Sequence, residues 1–474
     1  MSSSTPTANP PGSDRRQTSQ LPAGAYDANW FSFFNALSWQ ITIGAPAILY
    51  AKSLGASATV LGIIAALTPL LVILQIPAAH LLPRYGYRRF ILAGWSSRTL
   101  CIFGLAVVPM LLFLDAFSRL ALVLLLLFVF NLLRGMASGA WLPWITQIIP
   151  AECRGRFLSR DQFFAQVGCL VALTMAAGTL AAEPQYWQFS LVFLFSAIGA
   201  TASLVFIRRV PDVTAPEQLR ISGTRVPWAE MMRYRPFLRV TILNLLYVMA
   251  TGGVGVFTIA FLRSEAAYAE RWIVGVSALG VIGALFTLPY TSRMIDRVGS
   301  QPIILACVGG FVLILCGWLC VAAGLVGYPV WMIAALYLLM GIAGVNYQVA
   351  NNRLVMSVVP TMGRNHFFAL FTVTTNMAAG LAPIGWGLAL DGIGPWHVRL
   401  CGMDWNRYSL FFALSMLAAV VTVVYAARVQ ENQTTIRLDV AVATEPQAAG
   451  TSPLAAGGIV AAMEHGEPEI LTRT

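Results

Sequence analysis

Charge is what this sequence has least of. Only 11% of its 474 residues are Asp, Glu, Lys or Arg, and 58% are hydrophobic. A soluble domain carries about a quarter charged residues. A chain this apolar cannot hide its surface in water, so a lipid bilayer is the expected environment and the soluble classes are excluded. The net charge of +10 would suggest nucleic acid in a soluble protein. Beside a membrane, basic residues are topology signals, and no nucleic-acid partner is expected. Acids are missing where they would do chemistry: Asp27, Asp161, Asp296 and Asp391 read as lying at run ends or in loops. His80, His366, His397 and His465 fall at a run end, in loops or in the tail. Without a titrating cluster, the chain is not read as an enzyme: no catalytic residue, cofactor or metal site is expected. The seven cysteines show no paired spacing, and Cys101, Cys169, Cys307, Cys316 and Cys320 sit inside apolar runs. They read as small core hydrophobes rather than disulfide or metal partners. Residues 1–27 lack the apolar core of a signal peptide, so the first apolar run should act as its own insertion signal.

What is present is a series of twelve apolar runs, near 29–51, 58–82, 90–113, 120–147, 162–182, 187–207, 237–262, 271–292, 302–325, 330–357, 367–390 and 408–427. Each is long enough for the ~20 residues that cross ~30 Å of hydrocarbon as helix. Helix is required because lipid leaves every backbone polar group to be satisfied within its own segment. Basic residues crowd one side: Arg84, Arg88 and Arg89, then Arg154, Arg156 and Arg160, the central loop from Arg208 to Arg235, and Arg293, Arg297, Arg353 and Arg364. The other side holds only Lys52, Arg119, Arg263, Arg271, Arg399 and Arg407. The bias places both termini in the cytoplasm of a multi-pass cell-membrane protein, the inner membrane if bacterial. The expected organisation is a disordered tail over 1–27, a six-helix bundle over 28–208, a cytoplasmic loop over 209–236, a second bundle over 237–428 and a disordered tail over 429–474. A monomer is expected.

The stretch "IIPAECRGRF" from Ile148 interrupts this apolar chain with a charged loop, and it repeats. "VVPTMGRNHF" from Val358 matches Pro150 and Arg154 with Pro360 and Arg364, an offset of 210. Asn35, Ser38, Thr42 and Gly44 align with Asn244, Tyr247, Thr251 and Gly253 at an offset of 209. "RYGYRR" and "DRVGSQ" place Gly86 and Gly299 213 apart. Three matches in order at a near-constant offset indicate duplicated halves.

On these residues the chain resembles the major facilitator superfamily over about 29–428. That family's loop between helices 2 and 3 carries G-x-x-x-D-R-x-G-x-R-R. "AHLLPRYGYRR" keeps Arg84, Gly86, Arg88 and Arg89, but has Ala79 for the glycine and Pro83 for the acid. The second copy keeps Asp296, Arg297 and Gly299. The resemblance implies an all-α membrane protein of twelve transmembrane helices, in two pseudo-symmetric six-helix bundles that rock about a central site. It also implies a cytoplasmic gate at Arg84, Gly86, Arg88, Arg89, Arg154, Asp296, Arg297, Gly299 and Arg364, locked by an acid that the first copy lacks.

Polar side chains at membrane depth are expensive, so they mark candidate sites. Four runs carry them at helical spacing: Asn35, Ser38 and Thr42; Asn131, Arg134, Ser138 and Trp141; Asn244, Tyr247 and Thr251; and Tyr347, Gln348 and Asn352, with Asn351 beside them. These are runs 1, 4, 7 and 10, which surround the transport path in the resembled family. Arg134 is the sharpest feature, near the midplane of its run. Arginine is always ionised, and its cost there is at least about 2.5 kcal/mol. With no acid at that depth, it is expected to await an anion. Arg98 in run 3 reads equally as structural or functional. The leading reading is a secondary active or facilitative transporter of a small anionic or zwitterionic solute by alternating access. Arg134 would anchor charge, Asn and Gln would bond polar groups, and Trp141 and Tyr247 would pack the solute. The alternatives are efflux of amphipathic compounds, and a transporter-like sensor or assembly factor that moves nothing.

Overall fold

A computed structural model describes residues 24–79, 81–149, 151–213, 233–358, 364–400 and 402–429; within these, the side chains of 79, 82, 83, 142, 143, 146, 151–156, 292, 293, 296 and 364–366 are not described. Among the described residues, eleven helices are long and apolar enough to cross a membrane. A twelfth span is built from two pieces.

We number the spans α1 to α12. α1 runs Ala25–Ile43 and resumes at Ala45–Ser53; α2 is Ala58–Val72; α3 is Tyr87–Val107; α4 is Ala116–Ser138, resumed at Trp141–Ile148. α5 is Ala151–Thr179 and α6 is Tyr186–Arg209. α7 is Arg235–Thr251, resumed at Val254–Ser264; α8 is Glu270–Val298; α9 is Ser300–Ala322. α10 is Val330–Val358, α11 is Arg364–Ile393 and α12 is Arg407–Ala426.

The breaks have local causes. Gly44 takes an extended conformation at φ −90°, ψ −158°, and Pro46 then opens the next piece, where its missing N–H is harmless. α7 breaks at Gly252 and Gly253, the equivalent position in the repeat. α4 breaks at Gly139 and Ala140. Gly86 and Gly299 precede α3 and α9 with the same backbone, φ +75°, ψ 157° and φ +83°, ψ 176°. Only glycine adopts that region at little cost, so the repeated glycine is a repeated backbone requirement.

Packing repeats as well. In the first half α1 packs on α5 and α6, α3 on α4 and α6, and α2 on α4. In the second half α7 packs on α11 and α12, α9 on α10 and α12, and α8 on α10. Adding six to each number converts one set into the other, which is the two-bundle pseudo-symmetry expected from the duplicated motifs. The halves meet chiefly through α2 against α11 and α5 against α8. The same operation exchanges those two interfaces.

One element was not expected. Between α11 and α12, β1 (His397–Leu400) and β2 (Met403–Asn406) form an antiparallel hairpin around Gly402. It docks on the α9–α10 connection, where Asp404 N donates to Ala323 O at 2.9 Å and Asn406 Nδ2 to Ala322 O at 2.8 Å. Asn406 also caps α12, accepting from the amides of Tyr408 and Ser409.

Candidate functional site

The halves close against each other at the end that carries the α1–α2, α7–α8 and α11–α12 connections. There the second piece of α1 touches the second piece of α7 and α8, and that piece of α7 touches α2. The α2–α11 seam is too tight for side chains. A Cβ on Gly62 would stand 2.3 Å from Pro383 O, and one on Gly387 2.6 Å from Ala58 O. Asp391, near the end of α11, crosses this seam. Its Oδ1 accepts from Ala58 N at 3.0 Å and its Oδ2 from Thr59 N at 2.8 Å. A carboxylate of one half thus caps the α2 helix of the other, meeting amides that have no partner inside their helix.

Which polar side chains remain free for a solute follows from helix geometry. On α4, Leu125 is 57% exposed toward lipid. Arg134 lies nine residues on, about two and a half turns, and so points the opposite way. Gly135 beside it abuts Leu71 O of α2, and Ala137 lies against Gly94 of α3. Arg134 therefore faces the bundle interior, partly accessible, one turn before the break in α4. Among the described residues it has no acidic partner: the ion pairs there join Arg209 to Asp27, Arg263 to Glu270, Arg399 to Asp404 and Arg407 to Glu265. On α10, Gln348 is exposed, with its amide bonded to exposed Asn352 at 3.1 Å.

The other predicted residues are committed to contacts between helices or to carbonyls of their own helix. Asn35 Oδ1 accepts from Arg98 Nη2 and from Trp95 Nε1. Ser38 and Thr42 are fully buried and bond Ser196 of α6, Thr42 at 2.9 Å, so they fill the α1–α6 seam instead of lining a path. Asn131 is buried and accepts from Thr68 of α2 at 2.9 Å. Asn244 and Asn351 exchange two amide hydrogen bonds at 2.8 Å, and the Tyr347 hydroxyl donates to Asn244 as well. Tyr247 stacks on Tyr347 with centroids 3.5 Å apart. Thr251 donates to Tyr247 O and Ser138 to Gly135 O, both half-buried. Trp141 packs on Phe31 and Trp144. The partners Thr68, Ser196 and Asn351 complete pairs that one strand of sequence does not reveal.

Arg98 is buried at 1% exposure in α3, lying over the rings of Trp95 and Phe130 at 4.6 and 5.4 Å. Its Nε and Nη1 have no hydrogen-bond partner. It stands close enough to Arg134 for the two like charges to act on each other. Two guanidiniums with no described acid between them make this corner of the interior strongly positive.

One acid expected at a run end or in a loop, Asp161, lies well inside a helix. α5 starts at Ala151 rather than near 162, so Asp161 lies inside it and accepts from Ser32 of α1. Glu270 opens α8, 1% exposed, where Arg263 Nε meets it at 2.8 Å. Neither pairs with Arg134.

At the opposite end, the predicted gate is only partly visible. Arg84 and Arg89 are exposed, Arg88 donates to Arg208 O at the end of α6, and Arg297 is exposed. The side chains of Arg154, Asp296 and Arg364 lie outside the described residues.

The residues 30–383 match the family model described as Major Facilitator Superfamily. No curated protein matches the chain. Several solved structures share its fold. The nucleoside transporter NupG is 12% identical with a TM-score of 0.63, over 86% of this chain and 98% of that one. A POT family transporter in complex with a thioalcohol-conjugated peptide is 15% identical with a TM-score of 0.64, over 86% and 96%. The xylose transporter XylE from E. coli, in an inward-open conformation, is 15% identical with a TM-score of 0.60, over 88% and 98%. With its twelve spans, its duplicated halves and this match over most of its length, the chain belongs to the major facilitator superfamily, as a multi-pass membrane protein with the fold of that family's transporters.

Proposed function

We propose that this protein moves a small anionic or zwitterionic solute across the cell membrane by alternating access, with both termini cytoplasmic. The observation that carries the reading is Arg134: accessible from the interior face of α4, without an acidic partner among the described residues, and near a second buried guanidinium. An ionised group in that position is stabilised only by water or by a negative ligand. Gln348 and Asn352 supply neutral hydrogen-bonding groups from the other half. The stripe of candidate residues thereby narrows to those the fold leaves available. The similarity in fold to nucleoside, peptide and xylose transporters supports a small polar solute over a large amphipathic one.

Uptake into liposomes tests this, with monocarboxylates, dicarboxylates, phosphate monoesters and amino acids set against neutral sugars. Wild-type protein should give saturable flux of one negatively charged group of solutes. A hydrogen bond to a charged group contributes ~1.5–3 kcal/mol, so Arg134→Ala should weaken apparent affinity by roughly 10- to 150-fold. Arg134→Lys should fall between. Undiminished anion flux in a folded Arg134→Ala protein overturns the assignment, and saturable flux of neutral solutes alone overturns the substrate class.

A further inference from the structure

At the end predicted to face the cytoplasm, α7 and α12 border an open cavity of about 410 Å³ lined by Arg239, Tyr425, Arg428 and Val429. Arg239 lies one turn into α7, Tyr425 is in the last turn of α12, and Arg428 follows its end. Both guanidiniums are exposed, and neither has an acidic partner among the described residues.

The pseudo-symmetric corner of the first half is arranged differently. There α6 ends on Arg209, which meets Asp27 in the first turn of α1 at 4.0 Å. That corner carries its own counter-charge. In the second half the position equivalent to Asp27 is Pro236, and Arg239, one turn into α7, lines the same cavity as Arg428, so two cations share it without a described acid. An anion from outside the chain would complete the corner as Asp27 completes its counterpart.

The surface leading to the cavity shows what kind of anion fits. Leu417, Val421, Val424 and Arg428 step by four, three and four residues and form one stripe on α12. Leu417 is 60% exposed, Val421 47% and Val424 52%, so the stripe faces hydrocarbon and ends in a positive charge. A molecule that follows it carries an apolar chain and a negative head at interface depth.

We propose that this cavity binds the phosphate of an anionic phospholipid, with Arg239 and Arg428 as charge contacts, the Tyr425 hydroxyl as a hydrogen-bond donor and the acyl chain along α12. The site lies outside the solute path and does not depend on which solute is carried. Basic pockets between membrane helices hold lipid headgroups on this principle, with about 1 kcal/mol for each arginine near the surface.

Full-length protein purified in detergent tests the proposal by thermal melting with added phosphatidylglycerol, phosphatidylcholine or inorganic phosphate, and by mass spectrometry of retained lipid. Phosphatidylglycerol should raise the melting point above phosphatidylcholine, because only a ligand that prefers the native form does so. Inorganic phosphate should give no comparable shift. Arg428→Gln should cost about fivefold in phosphatidylglycerol affinity, and Arg239→Gln/Arg428→Gln about 25-fold. The proposal fails if wild-type protein does not distinguish the two lipids, a comparison that needs no variant. It fails if inorganic phosphate matches the lipid, which would make this a soluble-anion site. It also fails if the double variant retains phosphatidylglycerol as wild-type protein does.

Discussion

Replacing Asp391 by Asn should loosen the closed end of the molecule. The carboxylate accepts two amides from the first turn of α2 across the boundary between the halves, at 3.0 and 2.8 Å. Those amides have no helical partner, so the interaction is an N-cap supplied in trans. A cap contributes about 0.5–2 kcal/mol, and a negative charge at a helix N-terminus about 0.3–1 kcal/mol at an exposed site. Asp391 is exposed, so the lower part of each range applies and screening reduces it further. The sum is about 1–2 kcal/mol, a factor of roughly 5–30 in the balance between closed and open outer ends. Asn keeps an acceptor oxygen but loses the charge, so it should lose about half of this energy, and Ala nearly all of it. Spin labels at exposed Leu112 and Leu325, in outer connections of opposite halves, report that distance in a background whose native cysteines are replaced. The variants should populate a longer distance in the order Ala, Asn, wild type. If Asp391→Ala leaves the distribution within twofold of wild type, the cap does not hold the gate, and the Gly62–Pro383 and Gly387–Ala58 packing alone closes it.

Further outcomes follow from single contacts. Gly86→Ala and Gly299→Ala force a side chain into a left-handed backbone; each should cost about 1–3 kcal/mol, read as a lower melting temperature. Glu270→Gln leaves Arg263 without its counter-charge at a site where the acid is 1% exposed and the arginine 33%. The accessible arginine reduces the cost of the broken pair to about 2 kcal/mol, again measured by melting. Asn244→Ala and Asn351→Ala should each destabilise by about 1–3 kcal/mol, and the double variant by less than their sum, since each single change orphans the other buried amide.

The architecture was legible because it rests on long-range periodicity. Runs of about 20 apolar residues, the Arg-rich loops and the repeats at Gly86/Gly299 and Pro150/Pro360 are properties of one strand of sequence. α12 begins at Arg407 where the sequence places it near 408. The starts of helices were harder. Asp161 reads as a loop residue because "AECRGRF" is polar, yet that segment is helical from Ala151. Helix continues into the aqueous interface, where polarity no longer marks its end. The site was legible in residue type and not in direction. Ser38 and Thr42 have the spacing of a cavity stripe, but the stripe faces α6, where Ser196 answers it. Spacing shows which residues share a face; which neighbour that face meets is decided by tertiary packing. The hairpin at His397–Asn406 escaped notice because each strand is four residues long and lies between two long helices.

Arg98 poses the remaining choice between structure and electrostatics, and one substitution separates them. Its guanidinium lies over Trp95 and Phe130, donates to Asn35, and leaves two nitrogens without partners. A buried charge held this way adds little net stability, because desolvation opposes the contacts it makes. Arg98→Met keeps much of the volume and the apolar stem, so the protein should fold with a melting temperature within a few degrees of wild type. Its effect on a bound anion should be larger. A second positive charge acting on the Arg134 region strengthens the site for an anion by about 1–2 kcal/mol at the effective dielectric of a partly buried pair. Losing it should weaken anion affinity by roughly 5- to 30-fold, less than the roughly 10- to 150-fold expected of Arg134→Ala. Titration of the transported anion by calorimetry reads that factor directly. If Arg98→Met binds the anion as wild-type protein does, Arg98 serves only to join α1, α3 and α4, and the positive potential of the interior belongs to Arg134 alone.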